Sequence, residues 1–210
     1  FRRVLFRSNY FKDERLKAAF TFQNMYLGLS PYDAPATYSL LQYTELAEGV
    51  WYPIGGMYAA IQALVKLAER LGVKFIYNAP VKKIETNGTK VLGVVLEDGR
   101  PFSADIFVGN ADLPYIYQEL LPDVKEAKKL EDKLYTCSTI MFYWGVDKEY
   151  KQIAHHNVFL GGDYKASFDQ IFNDHTLPEV PSFYVHAPTR TDQSAAPDGQ
   201  DTLYVLVPVG

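Results

Sequence analysis

The sequence predicts an α/β protein (mixed α+β) whose helices and strands alternate along the chain, and three observations support that class. Apolar residues recur every three or four positions from Met57 to Leu71, which predicts an amphipathic helix with one buried face. Asn87 and Gly88 lie between two strand-like segments, and this dipeptide is the strongest short signal for a β-hairpin. From Thr136 onward, short segments rich in aromatic and β-branched residues alternate with turns, a pattern typical of a sheet.

Composition limits the functions that the chain can have. Its 210 residues are 48% hydrophobic, enough for a substantial core in one or two domains. The formal net charge of −4 offers no basic surface for phosphate backbones, so we expect no nucleic-acid partner. Cys137, a single cysteine, cannot form an internal disulfide, and its strand-like setting predicts a small buried side chain. No run of about eighteen apolar residues occurs, so no membrane-spanning segment is predicted.

The amino-terminal part is predicted to be helical after a short leader. Residues 1–8 are basic and apolar but lack the features of a signal peptide, and we interpret them as a non-native leader. Helical spacing predicts one helix between Phe11 and Asn24 and, after a break rich in glycine and proline, a second between Thr37 and Tyr43.

Two adjacent glycines, Gly55 and Gly56, lie where an extended segment turns into the amphipathic helix. Pro53 fixes φ just before them, and the loss of both Cβ atoms lets the backbone approach something flat or bulky. The alternative is a plain tight turn. Gly72 follows the last apolar position, where glycine suits a left-handed helix end.

The middle of the chain predicts strands joined by tight turns. The predicted strands are 73–77, 80–85, 90–96 and 104–108. The last one stops at Gly109, Asn110, Ala111 and Asp112. A strand that ends at small and polar residues is the usual geometry of a ligand crevice in an α/β sheet, although a helix cap by Asn110 or Asp112 explains the pattern equally well.

The carboxyl-terminal part predicts a mixed sheet with one helix packed across it. A charged helix is expected over 124–134, strands over 139–146, 157–160, 182–187 and 203–208, and a helix over 164–172. Adjacent residues of a strand point to opposite faces, so His155 and His156 should not bind one ion, and no metal site is predicted. Acid or base work by His155, His156 or His186 stays open beside a structural role, and no catalytic residue is assigned.

A resemblance extends these predictions. The runs YSLLQY (38–43) and EGVWYPIGGM (48–57) resemble the middle of the bacterial and fungal type of phytoene desaturase. Further collinear matches follow at 110–112, 154–157, 169–172, 186–188, 195–199 and 205–208. The similarity covers nearly everything from about residue 9 to 210 and is closest to the fungal members. Such collinearity is far more specific than any single motif of this chain.

The resemblance implies an internal fragment of a flavoprotein. It implies a Rossmann-like FAD-binding domain with a β-meander, represented by 51–115, and a mixed-sheet substrate domain formed by 9–50 and a truncated 116–210. No G-x-G-x-x-G fingerprint occurs in the chain. The fragment alone is therefore expected to be inactive.

Cofactor, substrate and location are also implied by the resemblance. Val81 would present its backbone to the adenine of FAD, the turn Gly109–Asp112 would pass near the dinucleotide, and Gly55 and Gly56 would lie close to the flavin or the substrate. The activity implied is desaturation of phytoene, a long apolar C40 polyene, in carotenoid biosynthesis. Because that substrate partitions into lipid, the enzyme is expected to be peripheral at an intracellular membrane surface. The alternatives are a carotenoid isomerase, a retinol saturase, an amine-oxidase-like enzyme, or a non-catalytic lipid-binding module.

Overall fold

The computed structural model describes residues 10–121, 124–130, 132–133 and 135–210, so the predicted leader at 1–8 lies outside the described residues. The chain forms two compact units. One combines the described residues up to Leu67 with Thr136–Gly210, and the other is Ala68–Tyr135. Each unit contains one sheet. The predicted α/β class, with a meander and a second sheet, is confirmed, whereas the predicted domain boundaries stay predictions.

Short helices open the first unit. They are α1 (Glu14–Ala19), a 3-10 helix (Phe22–Leu27), a second 3-10 helix (Ala36–Ser39) and α2 (Leu40–Glu48). The side chain of Asp13 caps α1 by accepting a hydrogen bond of 2.8 Å from the Arg15 backbone N–H. The predicted helix between Phe11 and Asn24 is divided into α1 and the first 3-10 helix, whereas the second predicted helix is confirmed and extends further than the pattern indicated.

Helix α3 (Gly56–Arg70) is the predicted amphipathic helix. Gly72, at a φ of 87°, ends it as expected, and the Val73 N–H donates to the Ala68 carbonyl at 3.0 Å. The prediction of a buried face is wrong for the described chain, because none of the residues of α3 is buried and Leu64 is 67% exposed. Amphipathic spacing identifies the face suited to burial, but it does not specify what covers that face.

The second unit contains a three-stranded antiparallel meander. Its strands are β1 (Val81–Asn87), β2 (Lys90–Leu96) and β3 (Pro101–Phe102), in that spatial order. Asn87 pairs with Lys90, so the two loop residues are Gly88 and Thr89 rather than the predicted Asn87 and Gly88. The shift of one residue has a simple cause, since only Gly88 has a positive φ, 61°, and Asn87 remains extended in the ladder.

Two predicted strands are wrong: the segments 73–77 and 104–108 are not paired with any strand in the described ranges. Their composition favours extended backbone, but a strand also needs a neighbour to complete its hydrogen bonds. Their apolar side chains are correspondingly exposed, Val108 by 86%. The unit continues with α4 (Leu113–Tyr115), a π-helical turn (Ile116–Leu120) and α5 (Lys125–Leu130), the last within the predicted charged helix.

A four-stranded sheet forms the centre of the first unit. Its elements are β4 (Ser138–Val146), β5 (His156–Phe159), α6 (Tyr164–Phe172), β6 (Phe183–His186) and β7 (Asp201–Val209). The spatial order is β4-β7-β6-β5, and every neighbouring pair is antiparallel. The four strands and α6 are confirmed. The sheet is antiparallel rather than mixed. The connection through α6 returns the chain to the end of the sheet at which β5 stops, so β6 runs antiparallel to β5.

A buried ion pair fixes the loop in front of the histidines. The Asp201 side chain, 0% exposed, accepts two hydrogen bonds of 2.8 Å from the guanidinium of Arg190. Arg190 also donates to the carbonyls of Tyr150 and Ile153, and the Tyr150 N–H donates to Asp201 at 2.7 Å. Chiefly through Arg190, the pKa of Asp201 is held far below its usual range. The loop that leads to His155 is therefore tied to the start of β7.

The remaining core is small and apolar. One buried apolar cluster is formed by residues of β6 and β7 and by the residue after β6, namely Val185, Ala187, Leu203 and Val205. None of the described helices combines the length and apolar character that a membrane-crossing helix needs.

Candidate active site

An apolar cavity of about 900 Å³ lies in the first unit. Side chains of the first 3-10 helix, the end of α2 and the strands β4 to β7 line it. Its wall is mainly apolar and includes Phe22, Met25, Leu46, Val50, Leu206 and Pro208. A cavity of this size is at the upper end of the range for small-molecule sites, and its lining suits an apolar ligand.

A few polar groups face the same cavity, among them Tyr26, Tyr184, Cys137 and His156. Burial raises the pKa of Tyr184 to about 12 and raises those of Tyr26 and the Cys137 thiol, so all three are neutral at pH 7. Cys137 is half-buried directly before β4 rather than inside the strand. These groups are placed to orient a ligand in an otherwise apolar space.

Three histidine rings meet at one edge of this cavity. The register of β5 and β6 places His156 opposite His186. His155 lies just before β5, with its ring centroid 4.4 Å from that of His156. The expectation that these two neighbours point to opposite faces is therefore wrong, because alternation holds only within a strand.

Each histidine has a defined hydrogen-bond partner. His155 Nε2 lies 2.8 Å from His186 Nε2, and His155 Nδ1 lies 2.5 Å from Thr191 Oγ1. His156 Nδ1 lies 2.6 Å from the hydroxyl of Tyr184. One nitrogen of the His155–His186 contact must carry the hydrogen and the other must accept it, so the pair is held in matched tautomers.

The environment favours the neutral form of all three rings. Burial, followed by the charges of the two neighbouring histidines, lowers the pKa of His186 to about 4. Burial also lowers the pKa of His155 and that of His156. Within the ranges that the structure describes, no group of His, Cys, Asp and Glu side chains has the arrangement of a metal site. The rings are therefore neutral at pH 7, and each neutral imidazole keeps one nitrogen with a lone pair.

The predicted glycine pair is tied to this cluster. The Gly55 N–H donates a hydrogen bond of 2.6 Å to Asp192, the residue after the partner of His155. The ring of Tyr52 packs edge-on against His155 and His186, at centroid distances of 5.1 and 5.5 Å. Gly55 and Gly56 have φ values of 86° and 80°, a region that other residues rarely adopt. Their role in binding a ligand stays a prediction.

The other predicted site residues lie in the second unit. Val81 begins β1 and pairs with Leu96. A Cβ on Gly109 would lie 2.8 Å from Ile116 Cδ1, so packing against Ile116 is enough to explain why glycine occupies this position. Asn110 and Ala111 lie in exposed chain, and Asp112 precedes α4 without a capping bond from its side chain. The structure thus divides the predicted residues between the units, Gly55 and Gly56 in one and the rest in the other.

Comparison with known proteins assigns the family. The family model described as flavin containing amine oxidoreductase matches residues 5–132. The chain belongs to this family. It is 52% identical over 204 residues to the phytoene desaturase of Cercospora nicotianae and 55% identical over 203 residues to the zeta-carotene-forming phytoene desaturase of Myxococcus xanthus. Each match covers 96% of this chain but only 33% and 39% of the relative, respectively.

A solved structure supports the fold independently. The crystal structure of an oxidoreductase from Methanosarcina mazei matches with a TM-score of 0.68 at 21% identity, covering 98% of this chain and 46% of that one. Membership of the flavin-containing family confirms the predicted flavin cofactor, FAD.

Two segments of the second unit carry the predicted contacts with that cofactor. The ladder of β1 and β2 is irregular between Val81 and Lys83, and such an irregularity releases backbone groups from the sheet. The segment Gly109–Asp112 is exposed and outside any ladder in the described chain. Contact of Val81 and of Gly109–Asp112 with FAD stays a prediction.

Proposed function

We propose that this chain is part of an FAD-dependent oxidoreductase that desaturates phytoene, a C40 polyene, in carotenoid biosynthesis. The observation that carries the proposal is identity of 52% and 55% to two proteins named phytoene desaturases, spread over 96% of the chain. The apolar cavity of about 900 Å³ is consistent with a long hydrocarbon ligand. FAD, when bound, supplies the chemistry by accepting a hydride from a saturated carbon.

In this proposal the chain's own residues bind and orient the hydrocarbon. Apolar side chains such as Met25, Leu46 and Leu206 contact the substrate and exclude water. Tyr26 and Tyr204 provide flat aromatic walls against which a conjugated segment can pack. No strongly polar recognition is required, because the substrate has no functional group.

A second part of the proposal is a peripheral position at an intracellular membrane surface. The substrate partitions into lipid, so it must enter the enzyme from a bilayer. Trp51, 89% exposed, and Ile54 precede the uncovered apolar face of α3. Exposed aromatic and aliphatic residues next to an amphipathic helix are typical of surfaces that bind at a lipid interface.

The test uses the complete product of the gene that contains this chain, reconstituted with FAD. Anaerobic mixing with phytoene in liposomes is expected to reduce the flavin and give a product with a longer conjugated system. The same protein mixed with retinol, lycopene isomers or a primary amine tests the alternative activities. Flavin reduction by an amine and none by phytoene would overturn the proposal.

Occupancy of the cavity has a separate readout in Cys137, the single cysteine of this chain. The thiol faces the cavity, so phytoene should slow its alkylation when the labelled peptide is quantified by mass spectrometry. A Leu46→Trp substitution should fill part of the cavity and abolish the protection. Equal labelling of Cys137 with and without phytoene would contradict binding at this site.

A further inference from the structure

We infer that His156, held by Tyr184, is the base that accepts the proton lost from phytoene during desaturation. The inference rests on the proposed function and assigns a chemical role that the comparisons leave open. His156 lies in the wall of the apolar cavity, at the edge where the three histidine rings meet. Removal of hydrogen from two adjacent carbons releases a hydride and a proton, and the proton needs an acceptor that faces the hydrocarbon.

The hydrogen bonds of His156 leave one nitrogen for this work. Its Nδ1 lies 2.6 Å from the hydroxyl of Tyr184, which can accept a hydrogen from Nδ1. In that tautomer Nε2 carries a lone pair, and in the part of the chain that the structure describes it has no hydrogen-bond partner. Tyr184 is therefore a positioning residue that fixes the ring and stabilises the imidazolium formed by proton transfer.

Most of the other titratable groups of the cavity are neutral acids, and one, Glu45, competes with His156 as an acceptor. Tyr26, Tyr184 and Tyr204 have pKa values raised by burial, so they are neutral phenols with little basicity. The thiol of Cys137 is also kept protonated by burial. Glu45 is a carboxylate at the cavity wall, and it accepts a hydrogen bond of 3.4 Å from Gln23. Glu45 is thus the competing candidate that the experiment must test.

The surroundings of His156 keep it in the basic form. The titratable groups around its ring are His155, His186 and Tyr184, with Tyr26, Glu45 and Tyr204 across the cavity. Since burial lowers the pKa of all three histidines, these rings are neutral at pH 7 and none is a fixed cation beside His156. A neutral imidazole is the form that general-base catalysis requires.

The step balances in atoms and electrons. One C–H bond of the substrate would break with its electron pair, and FAD, when bound, would supply the oxidant that accepts this hydride. The C–H bond on the adjacent carbon breaks in the opposite sense: the proton goes to Nε2 of His156, and the electron pair becomes the new C=C bond. The substrate thus loses two hydrogens, the flavin gains two electrons, and the imidazolium returns its proton to solvent.

The test compares His156→Gly, His156→Gln and Glu45→Gln in the complete FAD-loaded enzyme. Loss of a general base lowers rates by about 10²- to 10⁴-fold, so the rate of flavin reduction by phytoene should fall at least about 100-fold in both His156 variants. Added imidazole should restore much of the rate in His156→Gly and none in His156→Gln. Glu45→Gln should lose much less of the rate than either His156 variant.

Two further measurements separate a chemical role from a structural one. Protection of Cys137 by phytoene and the flavin spectrum should be unchanged in both His156 variants. The wild-type rate of flavin reduction should fall at low pH with one ionisation, which should be missing from His156→Gln and shifted in Tyr184→Phe. If His156→Gly does not fold, the pH dependence of the rate of flavin reduction in His156→Gln is enough to decide whether His156 is the base.

The outcomes distinguish the two levels of the proposal. A wild-type enzyme that neither binds nor oxidises phytoene refutes the proposed function itself. A wild-type enzyme that oxidises phytoene, with His156→Gln retaining its rate and pH dependence, refutes only the role of His156. A 100-fold loss in Glu45→Gln, with little loss in His156→Gln, transfers the role to Glu45.

Discussion

Replacing Asp201 by alanine should destabilise the first unit more than any surface substitution. Four hydrogen bonds converge on this buried carboxylate, two from Arg190 and one each from Thr189 and the Tyr150 N–H. Removing one partner of a buried ion pair costs about 3–5 kcal/mol. The guanidinium of Arg190 keeps its bonds to the carbonyls of Ile153 and Tyr150, so we expect the lower end, about 3 kcal/mol.

Urea unfolding of this chain followed by tryptophan fluorescence measures that loss. Both tryptophans, Trp51 and Trp144, lie in the first unit, so the signal is specific for it. With a slope of about 2 kcal/mol per molar urea, the midpoint should fall by about 1.5 M. The matched control is Lys151→Ala, which removes a surface ion pair of 3.7 Å whose lysine is 84% exposed, and it should cost less than about 1 kcal/mol. Equal midpoints for the two variants would refute the buried network.

Three further outcomes are expected. Gly56→Val should destabilise the start of α3 by about 1–2 kcal/mol, because its φ of 80° disfavours any side chain, and it should lower flavin content. The control Ala60→Val should cost only about 0.5 kcal/mol in helix propensity and leave flavin content unchanged. Normal flavin content in Gly56→Val would leave Gly55–Gly56 a plain turn. The pKa of His186 is lowered from 6.5 to about 4, so the contribution of its neutral ring to stability is fully present above pH 6.5 and is lost as the pH falls towards 4. The urea midpoint of the unaltered chain should therefore fall between pH 6.5 and 4, and that of His186→Gln should fall less. The complete enzyme should float with liposomes, and Trp51→Ser should float less; an enzyme that processes phytoene without lipid or detergent would contradict the membrane proposal.

Local sequence patterns predicted those elements whose signals are themselves local. Helix α6 begins and ends at the predicted residues, Tyr164 and Phe172, because Asp163 caps it and its apolar spacing is regular. The hairpin of β1 and β2 followed from one dipeptide, within one residue of its observed turn. The four strands of the sheet in the first unit were predicted from their composition alone.

Features that depend on a distant partner were not predictable in the same way. The segments 73–77 and 104–108 have the composition of strands, but pairing is a property of two segments. The cluster of His155, His156 and His186 was not predicted, because it depends on the pairing register of β5 and β6, which are separated by α6 in the sequence. Aligning the predicted strands 157–160 and 182–187 as an antiparallel pair would have brought His186 opposite His156.

The pairing of β4 with β7 has a consequence for the synthesis of the protein. Ser138 pairs with Val209 and Val146 with Asp201, so roughly 55 residues separate even the nearest pair. At about 5–20 residues per second on the ribosome, β4 waits about 3–11 s before its partner exists. During that interval Ile140, Phe142 and Trp144 form an unpaired strand with high aggregation propensity. Yield of the protein should therefore respond to chaperones that shield nascent strands, and a lysine in place of exposed Tyr143 should reduce that dependence.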